Sequence, residues 1–363
     1  CKRSGRTRFS SQDVAIALGA ALQPGSAGVD LTHPEAVCRI DIHDNLVKLY
    51  IDETPGPGGF PIGTQGRAVA LISGGIDSPV AAWFGLKRGL EVHYLFCNLG
   101  GPLQLWGPIA AARHLAMQWS YGYRPILHIA DFNALIQAFA PLNHRYRTIL
   151  LKRYFYRAAD RLARRIGAQA IITGEALGQV SSQTLSNLNT ISQVTNRLII
   201  RPLVAFDKIE IIAQARSIGT LPISEQVPEF CNVAGTKPRT RSSGAVLDNL
   251  EKAVDPIIAE SAISNWTSLD LKNLPEPIKP DDPVLDERPA GACLVWLDNP
   301  ELSAPVPPDA DAVVDILSLR SFITGYRRTG VLLFECVQGI MSRDAALAAR
   351  EKGLDAYRYH RPG

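Results

Sequence analysis

The sequence predicts an α/β protein built around a central doubly wound parallel sheet, with a smaller α/β piece before it and another after it. Three observations carry that prediction. Uncharged apolar runs at 68–72, 92–97 and 170–173 alternate with longer helical stretches, the pattern of buried parallel strands joined by crossover helices. Two of these runs lead into Gly-rich loops, Ser73-Gly74-Gly75 and Asn98-Leu99-Gly100-Gly101, and the third ends at Gly174. At 363 residues the chain exceeds one compact core, and a Pro/Gly-rich break at 55–59 divides it.

In chain order, Ser10 and Asp13 offer an N-cap before a helical run at 14–22. Residues 37–42 and 47–52 alternate apolar and polar side chains around Asp44-Asn45, a hairpin in outline. The central domain alternates strand and helix from 67 to 239, and its ligand crevice is expected where the strands end. Residues 145–165 carry eight Lys/Arg against one acid, with Ile149, Leu150, Tyr154, Ala158, Leu162 and Ile166 on one stripe. Residues 240–285, rich in Ser, Pro and Asp, read as a linker with one helix at 245–259. A last α/β unit starts near 289, with strands at 293–297, 312–316, 331–335 and 356–360 and a helix at 344–352.

Composition narrows the function classes. The hydrophobic share is 46% and no apolar run approaches the ~20 residues that span a bilayer, so no membrane partner is expected. Six cysteines form no CxxC pair and no zinc spacing, so reduced thiols and a cytoplasmic setting are expected and no metal cage is. The chain opens on Cys1 rather than Met, with no signal-type segment, and reads as starting partway through a longer protein. Net charge is +3, distributed as −1 over 1–66, +10 over 67–240 and −6 over 241–363. A basic middle suits a polyanion such as nucleic acid, and it equally suits a solvated face.

Two loops carry chemistry. Ser73-Gly74-Gly75-Ile76-Asp77-Ser78 joins an apolar strand to a helix with Pro79 in its first turn. Bare glycine backbone, free N–H groups and the helix dipole converge there on a phosphate. The loop has neither the Lys of a Walker A sequence nor the third Gly of a dinucleotide fingerprint. The second loop, Cys336-Val337-Gln338-Gly339-Ile340-Met341-Ser342-Arg343, puts a cysteine at a helix N-terminus. N–H groups around that sulfur would stabilise a thiolate or persulfide anion; a buried structural cysteine is the other reading.

The first loop resembles the SGGxDS pyrophosphate loop of ATP pyrophosphatases. With HYLFCNLGG, TGEALGQVSSQTLSNL, RPLVAFDKIEII, ISEQVPEFC and CVQGIMSR beside it, nearly the whole chain resembles the tRNA 4-thiouridine synthetase family, which is also the sulfurtransferase family of thiamine thiazole synthesis. The resemblance implies four parts. These are a partial THUMP RNA-binding domain at 1–60, an ATP pyrophosphatase domain at 61–239, a linker at 240–288 and a rhodanese-like domain at 289–363. It places ATP at Leu71, Ile72, Ser73, Gly74, Gly75, Ser78, Phe96, Cys97, Lys152, Gly174 and Gln183. Asp77 and Lys208 fall at positions the family needs for activity; Asp77 could orient Mg²⁺ on the pyrophosphate and Lys208 could neutralise charge there. Cys336 would carry the persulfide and Cys231 would be the partner thiol, the two meeting by a swing of the rhodanese-like domain.

The implied reaction adenylates O4 of a tRNA uridine, at position eight, and replaces it with sulfur. A cysteine desulfurase would be the donor and a sulfur-carrier protein a second acceptor. There are departures: an N-terminal ferredoxin-like domain and the first half of THUMP are missing. Phe is commoner at the place of Cys97, and the rhodanese-like domain is short before its active loop. Two alternatives stay open, an amidotransferase-type synthetase of the same superfamily and a non-catalytic RNA-binding protein.

Overall fold

The structure, a computed structural model, describes residues 1–5, 8–51, 54–100, 102–227, 239–298, 305–315, 318–327, 329–337 and 340–361. The chain forms two compact units, Cys1–Gly58 and Gly59–Gly363.

In the first unit, β1 (Lys2–Ser4), α1 (Ser11–Leu22), β2 (Arg39–His43) and β3 (Leu46–Tyr50) give a sheet of order β1-β2-β3. The expected hairpin forms: β2 and β3 pair antiparallel with Ile40 opposite Leu49, and Asp44 takes the turn at φ +50°. The Ser10 hydroxyl accepts from the Asp13 N–H while the Asp13 carboxylate accepts from the Ser10 N–H, which starts α1 where the sequence sets it.

The second unit opens with β4 (Arg67–Leu71), α2 (Asp77–Lys87), β5 (Glu91–Asn98), α3 (Pro102–Trp119), β6 (Ile126–Asp131), α4 (Asn133–Ala138) and α5 (His144–Ile166). It continues through β7 (Ala170–Ile172), α6 (Leu185–Ser192), β8 (Leu198–Ile200), α7 (Lys208–Ile218), α8 (Leu221–Ser224), α9 (Gly244–Lys252), α10 (Pro256–Ser264) and β9 (Trp266–Asp270). The sheet order is β8-β7-β4-β5-β6-β9, and all but β9 are parallel. Chain order across it therefore reverses between β4 and β7, which makes their C-terminal ends the switch point of a doubly wound fold. Alternation along β4 splits the core. Ala68 and Ala70 pack with α2, α3 and α7, while Val69 packs with α4 and α5.

Residues 240–288 differ from the expected linker. Strand β9 closes the sheet edge against β6, with Ile126 opposite Asp270 and Ala130 opposite Trp266. Helix α10 packs on α5 and α4, and α9 also lies on α5. After β9 the chain is strapped along α3: Arg113 Nε donates to the Leu274 carbonyl at 2.9 Å and Trp106 Nε1 to that of Pro277 at 3.1 Å. The Ser/Pro/Asp composition hides this, because the acids of α9 and α10 are there to meet the cations of α5. Arg153 is buried, with Nη2 at 2.5 Å from Asp248 Oδ1 and Nε at 2.8 Å from Glu251 Oε1. Arg157 pairs with Glu251, Arg161 with Glu260 and Arg164 with Asp160, each at 2.7 Å. Much of the basic helix is thus neutralised within the protein, so its charge count does not by itself mark a polyanion surface.

The last sheet comprises β10 (Val284–Leu285), β11 (Cys293–Asp298), β12 (Ala312–Asp315), β13 (Leu332–Glu335) and β14 (Ala356–Tyr359), with helices α11 (Leu319–Gly325) and α12 (Ile340–Glu351). Its order is β10-β14-β13-β11-β12, all parallel, around a core of Val295, Leu297, Leu332, Phe334 and Ala345. Helix α12 packs against α3, so this sheet abuts the central domain directly. Among the described residues no helix is long and apolar enough to cross a membrane.

Candidate nucleotide crevice and sulfur loop

The loop after β4 is held by its own serines. The Ser73 N–H donates to Ser78 Oγ at 2.8 Å, the two hydroxyls lie 2.9 Å apart, and the Gly75 N–H reaches Ser73 Oγ at 3.4 Å. Ile76 stands at the N-cap of α2 and, among the described residues, no side chain caps that end, which leaves its first N–H groups available to a ligand. Glycine is required on both sides. A Cβ on Gly174 would come within 2.7 Å of the Ser78 nitrogen, and one on Gly74 within 2.6 Å of Val227. At Gly75 a Cβ would meet only Ser73 Oγ, at 3.7 Å, so the bare backbone there faces open space.

Asp77 and Lys208 come together across the crevice. Lys208 Nζ lies 2.6 Å from Asp77 Oδ1, and Gln179 Nε2 donates to Asp77 Oδ2 at 3.2 Å. The expectation gave them separate ligands, a cation and a phosphate; the structure adds that they bond each other. Lys208 is the first residue of α7, set there by the capping box of Asp207 and Glu210.

The other predicted contacts divide into walls and polar groups. Ile72 and Phe96 belong to one core cluster and Cys97 to the other, so these side chains form packed wall and leave backbone to a ligand; Leu71 is partly exposed. Burial pushes the Cys97 thiol well up, as befits an inert interior cysteine. Gln183 ends a short 3-10 turn and its amide oxygen is buried with no hydrogen-bond partner among the described residues. A buried acceptor left unpaired is costly, and a ligand N–H would satisfy it.

Lys152 reaches the crevice from α5, its ammonium 3.0 Å from Glu175 Oε1. Sequence reasoning passed over Glu175, Gln179 and Arg201. The available signal was a charged residue directly after Gly174, at the end of an apolar strand.

Among the described residues no cluster of three or more His, Cys, Asp or Glu could cage a metal. One carboxylate beside a phosphate site is still a fitting donor set for Mg²⁺, which is held by one or two carboxylates plus substrate phosphates.

Cys336 follows β13 and is half-buried. Its sulfur accepts the Ser342 N–H at 3.3 Å and lies 3.5 Å from the Ser342 hydroxyl, so the first turn of α12 does point a donor at it. Two residues on, Asp344 is buried beside Gln104 of α3, and burial pushes its carboxyl up to about 7 against the pull of Arg343 and Gln104. Cys231 lies outside the described residues, as do 228–230 and 232–238.

Known proteins are similar to this chain over most of its length. A family described as Thiamine biosynthesis protein (ThiI) matches residues 63–255. A tRNA sulfurtransferase of Pyrobaculum aerophilum is 36% identical over 99% of this chain and 75% of its own length. One from Escherichia coli is 34% identical over 99% of this chain and 77% of its own. Among solved structures, a 4-thiouridine synthetase–RNA complex with bound ATP superposes with a TM-score of 0.66 at 34% identity, covering 74% of this chain and 72% of that one.

Proposed function

Because the chain belongs to the ThiI family of tRNA sulfurtransferases, we propose that it is an ATP-dependent enzyme that converts a tRNA uridine, that at position eight, to 4-thiouridine. The observation that carries this reading is the N-terminus of α2 behind the Gly-rich loop at the switch point, which no described side chain caps. The loop and α2 would hold the phosphates of ATP. Gln183 would accept an N–H of the base, and Lys152 would supply a cation. Mg²⁺, held by Asp77, would neutralise the leaving pyrophosphate.

The chemistry then runs in balanced steps. Uridine O4 attacks the α-phosphorus and pyrophosphate leaves. The terminal sulfur of a Cys336 persulfide attacks C4, and the C4–O bond breaks to release AMP. A thiolate from Cys231 attacks Cys336 Sγ, cleaving the S–S bond; thiouridine departs and a Cys231–Cys336 disulfide remains. Two electrons from cellular thiols reopen it. The Ser342 N–H would steady the anionic sulfur at each stage. Supporting a short path between the two sites, α3 touches both: a Cβ on its Gly107 would meet the Gly74 Cα at 3.1 Å, and α3 packs against α12.

A cysteine desulfurase would load Cys336 in the cytoplasm, a sulfur-carrier protein for thiazole synthesis is a second acceptor, and residues 1–60 would act as the partial THUMP contact with RNA. The test is the purified chain with tRNA, ATP and a persulfide donor, followed by mass spectrometry of tRNA nucleosides. ATP-dependent 4-thiouridine is expected; its absence, or its formation without ATP, overturns the proposal.

A further inference from the structure

Glu175 sits behind the crevice rather than in it. The residue is 6% exposed, yet four donors converge on its carboxylate. Lys152 Nζ is 3.0 Å from Oε1. Tyr156 OH at 2.5 Å, Arg201 Nε at 3.0 Å and Thr173 Oγ1 at 3.2 Å are all on Oε2. Burial alone would raise this carboxyl, but Lys152, the Tyr156 hydroxyl and Arg201 outweigh it and hold it down at about 2.

A buried ionic cluster is a poor device for stability alone, since apolar side chains of the same volume generally do as well or better. Its geometry suggests another use. Arg201 is tied on several sides, to Glu175, to the Tyr156 hydroxyl at 3.0 Å and to the Ser192 hydroxyl at 2.8 Å. Lys152 has Glu175 as its one hydrogen-bond partner among the described residues, and its side chain is 20% exposed, so two ammonium donors stay free. The cluster is also placed to matter. Glu175 is bonded to Gly174, whose Cα is packed so tightly on the first turn of α2 that no Cβ fits.

We infer that Glu175 is a positioning residue: its carboxylate anchors Lys152 so that the ammonium is preset for the phosphates of a nucleoside triphosphate at the N-terminus of α2. This rests on the reading of that crevice as the ATP site. A free lysine gives up its rotamer entropy when a ligand fixes it; one already fixed by Glu175 does not. Two cations against one carboxylate also leave the cluster with a net positive charge toward an anionic ligand.

The experiment measures ATP binding by calorimetry, and KM for ATP and for tRNA, in the full chain and in Glu175→Gln, Lys152→Met and the double variant. Glu175→Gln should weaken ATP about tenfold and leave the KM for tRNA unchanged. Glu175→Asp, which keeps the charge, should recover part of the loss. The double variant should bind ATP no worse than Lys152→Met, because the carboxylate acts through the lysine. Where Glu175→Gln does not fold, Tyr156→Phe removes one donor and should raise the KM for ATP two- to fivefold, roughly. Equal ATP affinity in folded Glu175→Gln, additive losses in the double variant, or an equal rise in the KM for tRNA would each overturn the assignment while leaving the crevice reading intact. Wild type that neither binds nor turns over ATP removes both.

Discussion

The crevice at Ser73–Ser78 and the loop at Cys336 are built alike and finished differently. Each follows a buried parallel strand and ends at a helix N-terminus. In the first, the serines bond one another and no side chain caps α2, so the anion site stays open for something that arrives and leaves. In the second, the Ser342 N–H already has the Cys336 sulfur as acceptor. A strand end followed by a helix start would thus serve a borrowed anion in one place and an anion made from the chain itself in the other. That contrast divides the proposed reaction: energy enters at the open site and sulfur leaves from the filled one.

Breaking the two sites separately gives the largest effects. Cys336→Ala should abolish 4-thiouridine while tRNA-dependent pyrophosphate release continues, and Asp77→Ala should abolish both, with circular dichroism unchanged in each case. Coupled loss in the cysteine variant would mean the halves are not separate. Gly174→Ala comes next. Its methyl must push the Ser78 backbone, and a distorted α2 start should cost at least tenfold in pyrophosphate release, with a fold penalty of about 1–3 kcal/mol. A wild-type rate there would show that the close packing beneath the loop is irrelevant.

A third variant addresses the basic helix. Arg153→Met leaves Glu251, half-buried beside it, short of a partner, and should destabilise the fold by about 2–3 kcal/mol in denaturant titration. The tRNA affinity of the folded protein should not move; a clear fall would return this helix to the RNA surface.

The smallest effect sharpens the filled side. Asp344 has its carboxyl raised to about 7 by burial, so the fold favours the protonated form. Its contribution is full below the ordinary carboxylate range, near pH 4, and declines as pH rises toward 7. The decline follows the proton that the folded state holds and the unfolded state gives up. Asp344→Asn should flatten the fall of the unfolding midpoint between pH 4 and 7; an unchanged slope would assign that fall to other groups.

Much of this was legible in local signals. An apolar run followed by two glycines and a proline located β4, the loop and α2, because each of those residues constrains the backbone directly. Asp44-Asn45 between alternating strands did the same for the hairpin. The 240–288 segment was misread because its acids find their reason only in three dimensions, against Arg153, Arg157 and Arg161 on a helix nearly a hundred positions earlier. The role of Glu175 is hidden for the same cause: apart from Thr173, just after β7, its partners come from α5 and from just after β8, and no window of sequence contains them all.

The central claim, that the open site adenylates the uridine before the filled site replaces its oxygen, has a direct test. A tRNA carrying oxygen-18 at O4 of the target uridine is thiolated in a single turnover by the Cys336 persulfide form, and the AMP is examined by mass spectrometry. The account predicts one oxygen-18 in the AMP for each 4-thiouridine formed. Unlabelled AMP, with the label lost to water, would contradict it.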